Sequence, residues 1–214
     1  DRNWFKQVLN FSLWQLFGFS GIYLLNFGDT AVVKYFLTNE DVGLYNAAYQ
    51  LFNGVASFSY VISSYYAPSV SEYFSSQNFK QIKKFYYQER IFVILLSIVG
   101  HLILIFSSKF IITLLYSEKY LAAVPIFNIL MLGSMLRYVT VFYMLYYNTN
   151  RKHHIQQILN IFVAILNVLL SIVFLQLFGL NGPAIATVFT ILTSLIFSFI
   201  YCEGRIINSI KKGV

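Results

Sequence analysis

Six apolar runs of membrane-spanning length, separated by short polar loops, govern what this chain of 214 residues can become. A helix needs about 20 mostly apolar residues to cross the hydrocarbon core of a bilayer. Such runs cover about 8–37, 42–66, 91–106, 122–147, 155–178 and 182–201. They are apolar all round, as lipid-exposed helices are, and lack the alternating polarity of a membrane barrel. The expected fold is therefore an all-α membrane protein, a six-helix transmembrane bundle forming one domain over 1–214. The first run is too long for one straight crossing and is expected to tilt, or to leave the bilayer near Thr30. The third is short. Ser107, Ser108 and Lys109 interrupt it, and 110–116 reads as an interfacial or bent continuation. The longest loop, about 67–89, is expected to be cytoplasmic and partly amphipathic.

Charge supports this reading and orients it. Only 11% of residues are charged, against about 25% in soluble domains. Eight acids and fifteen Lys and Arg cannot coat a soluble surface, which excludes an ordinary soluble enzyme. The net charge of +7 raises nucleic-acid binding, which needs basic residues gathered on one face. Here they alternate with the spans instead. With six crossings, Arg2, Lys6, Lys80, Lys83, Lys84, Arg90, Arg151, Lys152, Arg205, Lys211 and Lys212 fall on one side. Lys34, Lys109 and Lys119 fall on the other. The positive-inside rule then places both termini in the cytoplasm, in an inner-membrane protein. The excess reads as affinity for anionic membrane lipids, and no nucleic-acid partner is expected. The chain opens on Asp1 rather than Met, without a signal-peptide pattern, and is expected to be part of something longer.

Several motifs then carry a resemblance. Residues 29–49 read DTAVVKYFLTNEDVGLYNAAY, an Asp followed by an apolar stretch and then Val42, Gly43, Tyr45, Ala47 and Ala48. Residues 116–123 read YSEKYLAA, 148–152 form a short turn, and 179–187 read GLNGPAIAT. In order and spacing these resemble the polysaccharide-export and oligosaccharide-flippase families of the multidrug/oligosaccharidyl-lipid/polysaccharide exporter (MOP) superfamily. Gln176, Ser171 and Pro183 stand where those families commonly carry Pro, a second Asn and Ala. The resemblance implies one lobe of a two-lobe transporter, the C-terminal one. The missing N-terminal lobe of the same protein becomes an expected partner.

Candidate functional residues are the polar groups held at membrane depth. A carboxylate there faces a cavity, a partner or an ion path. Asp29 is thus expected to hold a proton or sodium ion or touch substrate, or else to sit at the outer interface or pair with Lys34. Arg137 sits about halfway along the fourth span, and its fork suits phosphate oxygens. The alternative is a pair with Asp29, another acid or backbone carbonyls. His101 lies mid-span, as a proton relay or as a hydrogen-bonding strut between helices. Asn160 and Asn167 share a face and are expected to bond across helices or touch substrate. Tyr45, Tyr49, Tyr65 and Tyr66 are expected to line a sugar path. Gly18, Ser20, Gly21, Gly182, Ala184, Ala186 and Thr187 read as close-packing positions. Gly54 and Pro68 are expected to bend or end the second span. Glu89 and Arg90 read as an interfacial ion pair. Glu203 reads as water-facing, and the lone Cys202 as reachable from the cytoplasm.

No metal spacing, nucleophile motif or phosphate loop is present. No cofactor is expected, and coupling to a proton or sodium gradient is. The resemblance implies a flippase carrying an undecaprenyl-pyrophosphate-linked oligosaccharide by alternating access, for surface polysaccharide such as O-antigen, lipopolysaccharide or capsule. A cation-coupled multidrug antiporter is the alternative, and it would need acids in its cavity. A membrane glycan polymerase or ligase would need a large outer loop, which the short loops do not offer.

Overall fold

The structure, a computed structural model, describes residues 2–211. Asp1 and Lys212, which entered the sequence reading, lie outside the described residues. Every main element among those residues is helical. The order is α1 (Arg2–Phe36), α2 (Asn39–Ser75), α3 (Phe79–Lys84), a π-helical turn (Phe85–Glu89), α4 (Arg90–Phe106) and α5 (Ser108–Tyr116). Then come a 3-10 segment (Glu118–Ala123), α6 (Val124–Thr149), α7 (His153–Phe178), a 3-10 turn (Gly179–Asn181) and α8 (Gly182–Lys211).

Four helical stretches among the described residues are long and apolar enough to cross a membrane: Trp4–Phe36, Phe79–Phe106, Glu118–Thr149 and His153–Lys211. The last is the α7–α8 hairpin and contains two helices. α2 has ample length at 37 residues, but its Ser, Asn and Gln side chains dilute its apolarity. That dilution has a structural cause, since part of α2 faces a polar interior described below.

Local chemistry sets the helix ends. Thr38 caps α2 reciprocally: its hydroxyl accepts from the Asp41 amide at 3.2 Å, while Asp41 Oδ2 accepts from the Thr38 amide at 3.1 Å. This satisfies orphan donors at the helix start and places Glu40 and Asp41 at the positive end of the dipole. Only residues 37 and 38 separate α1 from α2, so the two helices form a tight hairpin. At the α7–α8 corner Gly179 has φ +58°. Gly182 there lies against the Phe174 backbone where a Cβ would clash.

The helices run on at three points where the sequence suggested a tilt, a bend or a loop. α1 runs unbroken past Thr30 to Phe36. α2 passes through Pro68 to Ser75, because a proline withholds only one helix donor and the flanking turns hold. The expected loop 67–89 is almost wholly helical: a short turn at 76–78 leads into α3, and the π turn joins α3 to α4 without a break. Buried Ile82, Phe85 and Tyr86 anchor that segment to the aromatic cluster of α6, so it has an apolar reason to fold.

The packing centres on α6, whose buried residues include Phe127, Leu130, Met131, Phe142 and Tyr146. α2, α4 and α8 pack on it, α7 packs on α8, and α1 rides along α7. α1, α2, α6, α8 and α7 thus form a ring, and α4 leans on α6 from outside. Lipid is as apolar as leucine, so close fit rather than water exclusion holds such helices together. α1 and α7 run parallel through small residues: a Cβ on Gly21 would sit 3.0 Å from Ile161, and one on Gly28 2.8 Å from Val168.

At one end of the bundle, Arg90 of α4 makes two bonds to Glu203 of α8, of 2.9 and 3.0 Å. Tyr143 of α6 donates to the same carboxylate at 3.0 Å. The neighbouring Glu89 instead takes Lys84 at 3.8 Å. Glu203 is therefore not a water-facing bystander, and Arg90 does not pair with Glu89. Adjacent helical residues point about 100° apart, whereas the partner helix presents its carboxylate directly. Cys202, beside Glu203, is fully buried rather than reachable.

Candidate functional site: a carboxamide-lined cavity beside a buried aspartate

The ring of helices borders a half-open cavity of about 750 Å³. Seven carboxamides line it: Gln15 and Asn26 from α1, Asn53 from α2, Asn148 from α6, and Gln156, Gln157 and Asn160 from α7. Hydroxyls of Ser57, Ser59, Tyr60, Thr140, Thr187, Thr190 and Ser194 join them. Among the described residues, Arg137 is the one charged residue in the lining and no carboxylate lines it. Amides and hydroxyls both donate and accept, so this wall can meet a ligand rich in hydroxyls and acetamido groups without burying a net negative charge.

Arg137 stands about 20 Å along α6 from its start. Its guanidinium lies over the Phe52 ring, 4.9 Å from the centroid. Among the described residues no carboxylate pairs with it. A cation held by a ring face and left unneutralised keeps its fork available to an anionic ligand.

Asp29 lies beside the cavity, with no exposed surface. Ser171 donates to its Oδ1 at 2.6 Å, while Tyr45 and Thr187 donate to Oδ2 at 2.9 and 2.5 Å. Four helices thus converge on one carboxylate, from α1, α2, α7 and α8. Asn167 donates to the Thr187 hydroxyl at 3.3 Å, and its own Oδ1 is buried without a hydrogen-bond partner. Lys34 faces outward from α1 and does not pair with Asp29. The three hydroxyl donors give the buried carboxylate its compensation instead.

The structure therefore brings Asp29, Tyr45 and Asn167 together and sets Arg137 on the cavity wall. Tyr49 stacks on Tyr45, with centroids 5.8 Å apart, and donates to the Leu25 carbonyl at 2.9 Å. Tyr45 and Tyr49 are buried, and neither they nor Tyr65 and Tyr66 line the cavity; Tyr60 and Phe19 are its aromatics. Tyr65 is exposed on the outer surface, and Tyr66 packs on Phe85. His101 lies apart, between α4 and α6. Its Nδ1 donates to the Ser97 carbonyl at 2.8 Å, and in the neutral ring Nε2 accepts from Ser134 at 2.9 Å.

Sequence reasoning missed Ser171 and Thr187 as carboxylate partners and most of the cavity amides. The amides did leave a signal: Gln15, Asn26, Asn53, Gln156 and Gln157 all interrupt apolar stretches. Each such side chain is costly in lipid and so faces protein or water.

A family model described as polysaccharide biosynthesis protein matches residues 1–125, more than half of the chain. The chain belongs to that family. The uncharacterized membrane protein MJ1068 of Methanocaldococcus jannaschii is 27% identical over 193 residues, 88% of this chain and 38% of that protein. The probable low-salt glycan biosynthesis flippase Agl15 of Haloferax volcanii is 25% identical over 183 residues, 85% of this chain and 39% of that protein. The chain thus spans about two fifths of the length of these curated relatives. Among solved structures, a MOP superfamily transporter from Pyrococcus furiosus matches with a TM-score of 0.79 at 14% identity, over 90% of this chain and 44% of that one. A multidrug resistance MATE family transporter in an outward-facing conformation gives 0.79 at 13%, over 93% and 49%. The fold is that of MOP superfamily transporters.

Proposed function

We propose that this chain is the C-terminal lobe of a flippase that moves a lipid-linked oligosaccharide across the cytoplasmic membrane by alternating access. The observation that carries this reading is the lining of the cavity: seven carboxamides, a matching set of hydroxyls and one cation, with no carboxylate. A polar glycan cannot cross hydrocarbon unaided, and such a wall replaces its water hydrogen bonds. Arg137 meets the phosphate that joins glycan to lipid, in the form of an undecaprenyl-pyrophosphate carrier. Asp29 couples the cycle to a proton or sodium gradient. The N-terminal lobe supplies the facing wall, and both ends of this segment lie on the cytoplasmic side with the anionic lipid heads. Membership in a polysaccharide biosynthesis family and likeness to a protein named a glycan biosynthesis flippase support this reading.

A cation-coupled multidrug antiporter is the second reading. The likeness to a MATE transporter and the buried Asp29 favour it. The missing carboxylate in the cavity weighs against it, since an organic cation would meet Arg137 there. The discriminating experiment reconstitutes the complete protein in liposomes. It follows a fluorescent polyprenyl-pyrophosphate oligosaccharide and an organic cation dye in parallel. We expect the glycan lipid to change leaflets and the dye to stay. Dye exchange without glycan movement would reverse the assignment.

A further inference from the structure

Three of the cavity amides are joined to one another across the α1–α7 seam. Asn160 donates to the Gln157 oxygen at 3.2 Å, and Gln157 donates to the Gln15 oxygen at 3.1 Å. The middle member is the buried one, with Gln157 only 8% exposed. A glycine makes its place. A Cβ on Gly18 would overlap the Gln157 amide, and the three atoms nearest to that Cβ all belong to the Gln157 side chain.

The row has a direction. A carboxamide holds two N–H donors and an oxygen that can accept twice. Each link joins an N–H to an oxygen, so the Gln15 end keeps both of its N–H groups and the Asn160 end keeps its oxygen. Among the described residues these end groups bond to nothing else, and both residues line the cavity. Amides in a hydrogen-bonded row polarise one another, which strengthens the groups at its ends.

The row also has a place relative to Arg137. Counted from the α6–α7 turn, Gln157 lies about 8 Å and Asn160 about 12 Å along α7, and Arg137 about 20 Å along α6. The amides therefore stand on the turn side of Arg137 and begin about 8 Å from it. A ligand with its phosphate on Arg137 lays its first sugar along them. Phe19, one helical turn from Gln15, lines the same cavity with an exposed ring. A pyranose carries hydroxyls around its rim and C–H groups on its faces, so an amide row beside a bare aromatic ring meets both parts.

We propose that Gln15, Gln157 and Asn160 form a subsite that selects a neutral pyranose next to the phosphate, with Gly18 as the positioning residue. One sugar hydroxyl accepts from Gln15 and another donates to Asn160 Oδ1. A uronic acid fits less well, because its carboxylate only accepts and would face that oxygen. The one cation among the described lining residues is already taken by the phosphate. The inference rests on the flippase reading and names the part of the glycan that this lobe reads.

The test measures binding of bare undecaprenyl pyrophosphate, its glucosyl form and its glucuronosyl form to the complete protein in nanodiscs. We expect the wild type to hold the glucosyl lipid ~10-fold more tightly than either of the others. Gln157→Leu should lose that advantage and keep its affinity for the bare lipid. Gly18→Ala keeps all three amides and displaces only the flexible Gln157 tip. It should show the same selective loss with a thermal midpoint close to that of the wild type. A full glucosyl preference in both variants, or equal losses for bare and glucosyl lipids, would show that the row only braces α1 on α7, and would overturn the proposal. Equal wild-type affinity for the glucosyl and glucuronosyl lipids would overturn it too, with the flippase reading left standing. Wild-type protein that binds none of the three lipids would remove the flippase reading, and the subsite with it.

Discussion

Arg90 and Glu203 meet through two parallel hydrogen bonds across 113 residues of sequence, with their side chains only 13% and 15% exposed. The pair ties α4 to α8, and Tyr143 brings in α6. Removing one partner of such a pair leaves an uncompensated charge, which costs about 3 kcal/mol or more. Arg90→Ala should therefore lower the thermal midpoint in detergent markedly. The double variant Arg90→Met with Glu203→Leu should be less damaged than either single variant. Equal, additive losses would show that the two residues act independently.

The α1–α7 contact gives a second prediction, on packing. A methyl added at Gly21 would press on Ile161, 3.0 Å from its side chain and 3.2 Å from its backbone. Backbone cannot yield as a side-chain tip can, so Gly21→Ala should cost about 1–3 kcal/mol. Gly204 meets nothing within 4 Å. Gly204→Ala should be neutral or stabilise by up to about 1 kcal/mol. Thermal unfolding of the two variants side by side checks the contrast, and similar losses in both would refute it.

These residues also show what was legible in the sequence. The helices were, because apolar length is a strong local signal. So was the weight of Asp29, since a carboxylate inside an apolar run must be compensated somewhere. Its partners were not, because Ser171 and Thr187 lie 142 and 158 residues away and resemble ordinary packing residues. Arg90 was misassigned for a related reason: adjacency on the chain pointed to Glu89, while the partner helix supplied Glu203. Arg137 stands midway along α6. The cavity around it was hidden, because its amides come one to three at a time from four helices and become a wall only when those helices close a ring.

Cys202 supplies a third prediction. It is fully buried beside Glu203, so a maleimide should leave the native protein unlabelled from either side of the membrane. Labelling should appear only on unfolding. Rapid labelling in sealed vesicles would contradict the packing of α8 against α6. The proposed orientation then needs other reporters. In a Cys202→Ala background, Lys80→Cys should react only from the cytoplasmic face and Lys119→Cys only from the outer face.

The cavity gives the last prediction. Arg137 holds the one charge among the described lining residues, stacked on Phe52. If it grips the phosphate of a lipid-linked glycan, losing its charge-assisted hydrogen bonds should cost about 2 kcal/mol, roughly thirtyfold in apparent affinity. Arg137→Ala in the complete protein should show that loss. Arg137→Lys keeps the charge without the fork, so it should fall between the two. Asn160→Leu tests the other half of the wall. It removes a carboxamide that bonds Gln157 at 3.2 Å and faces the cavity. Its effect should depend on the glycan and vanish for a bare polyprenyl pyrophosphate, whereas the effect of Arg137→Ala should persist for both. Binding of the two lipids to each variant by titration in nanodiscs measures this split. Equal sensitivity of Asn160→Leu to both lipids would place the sugar elsewhere.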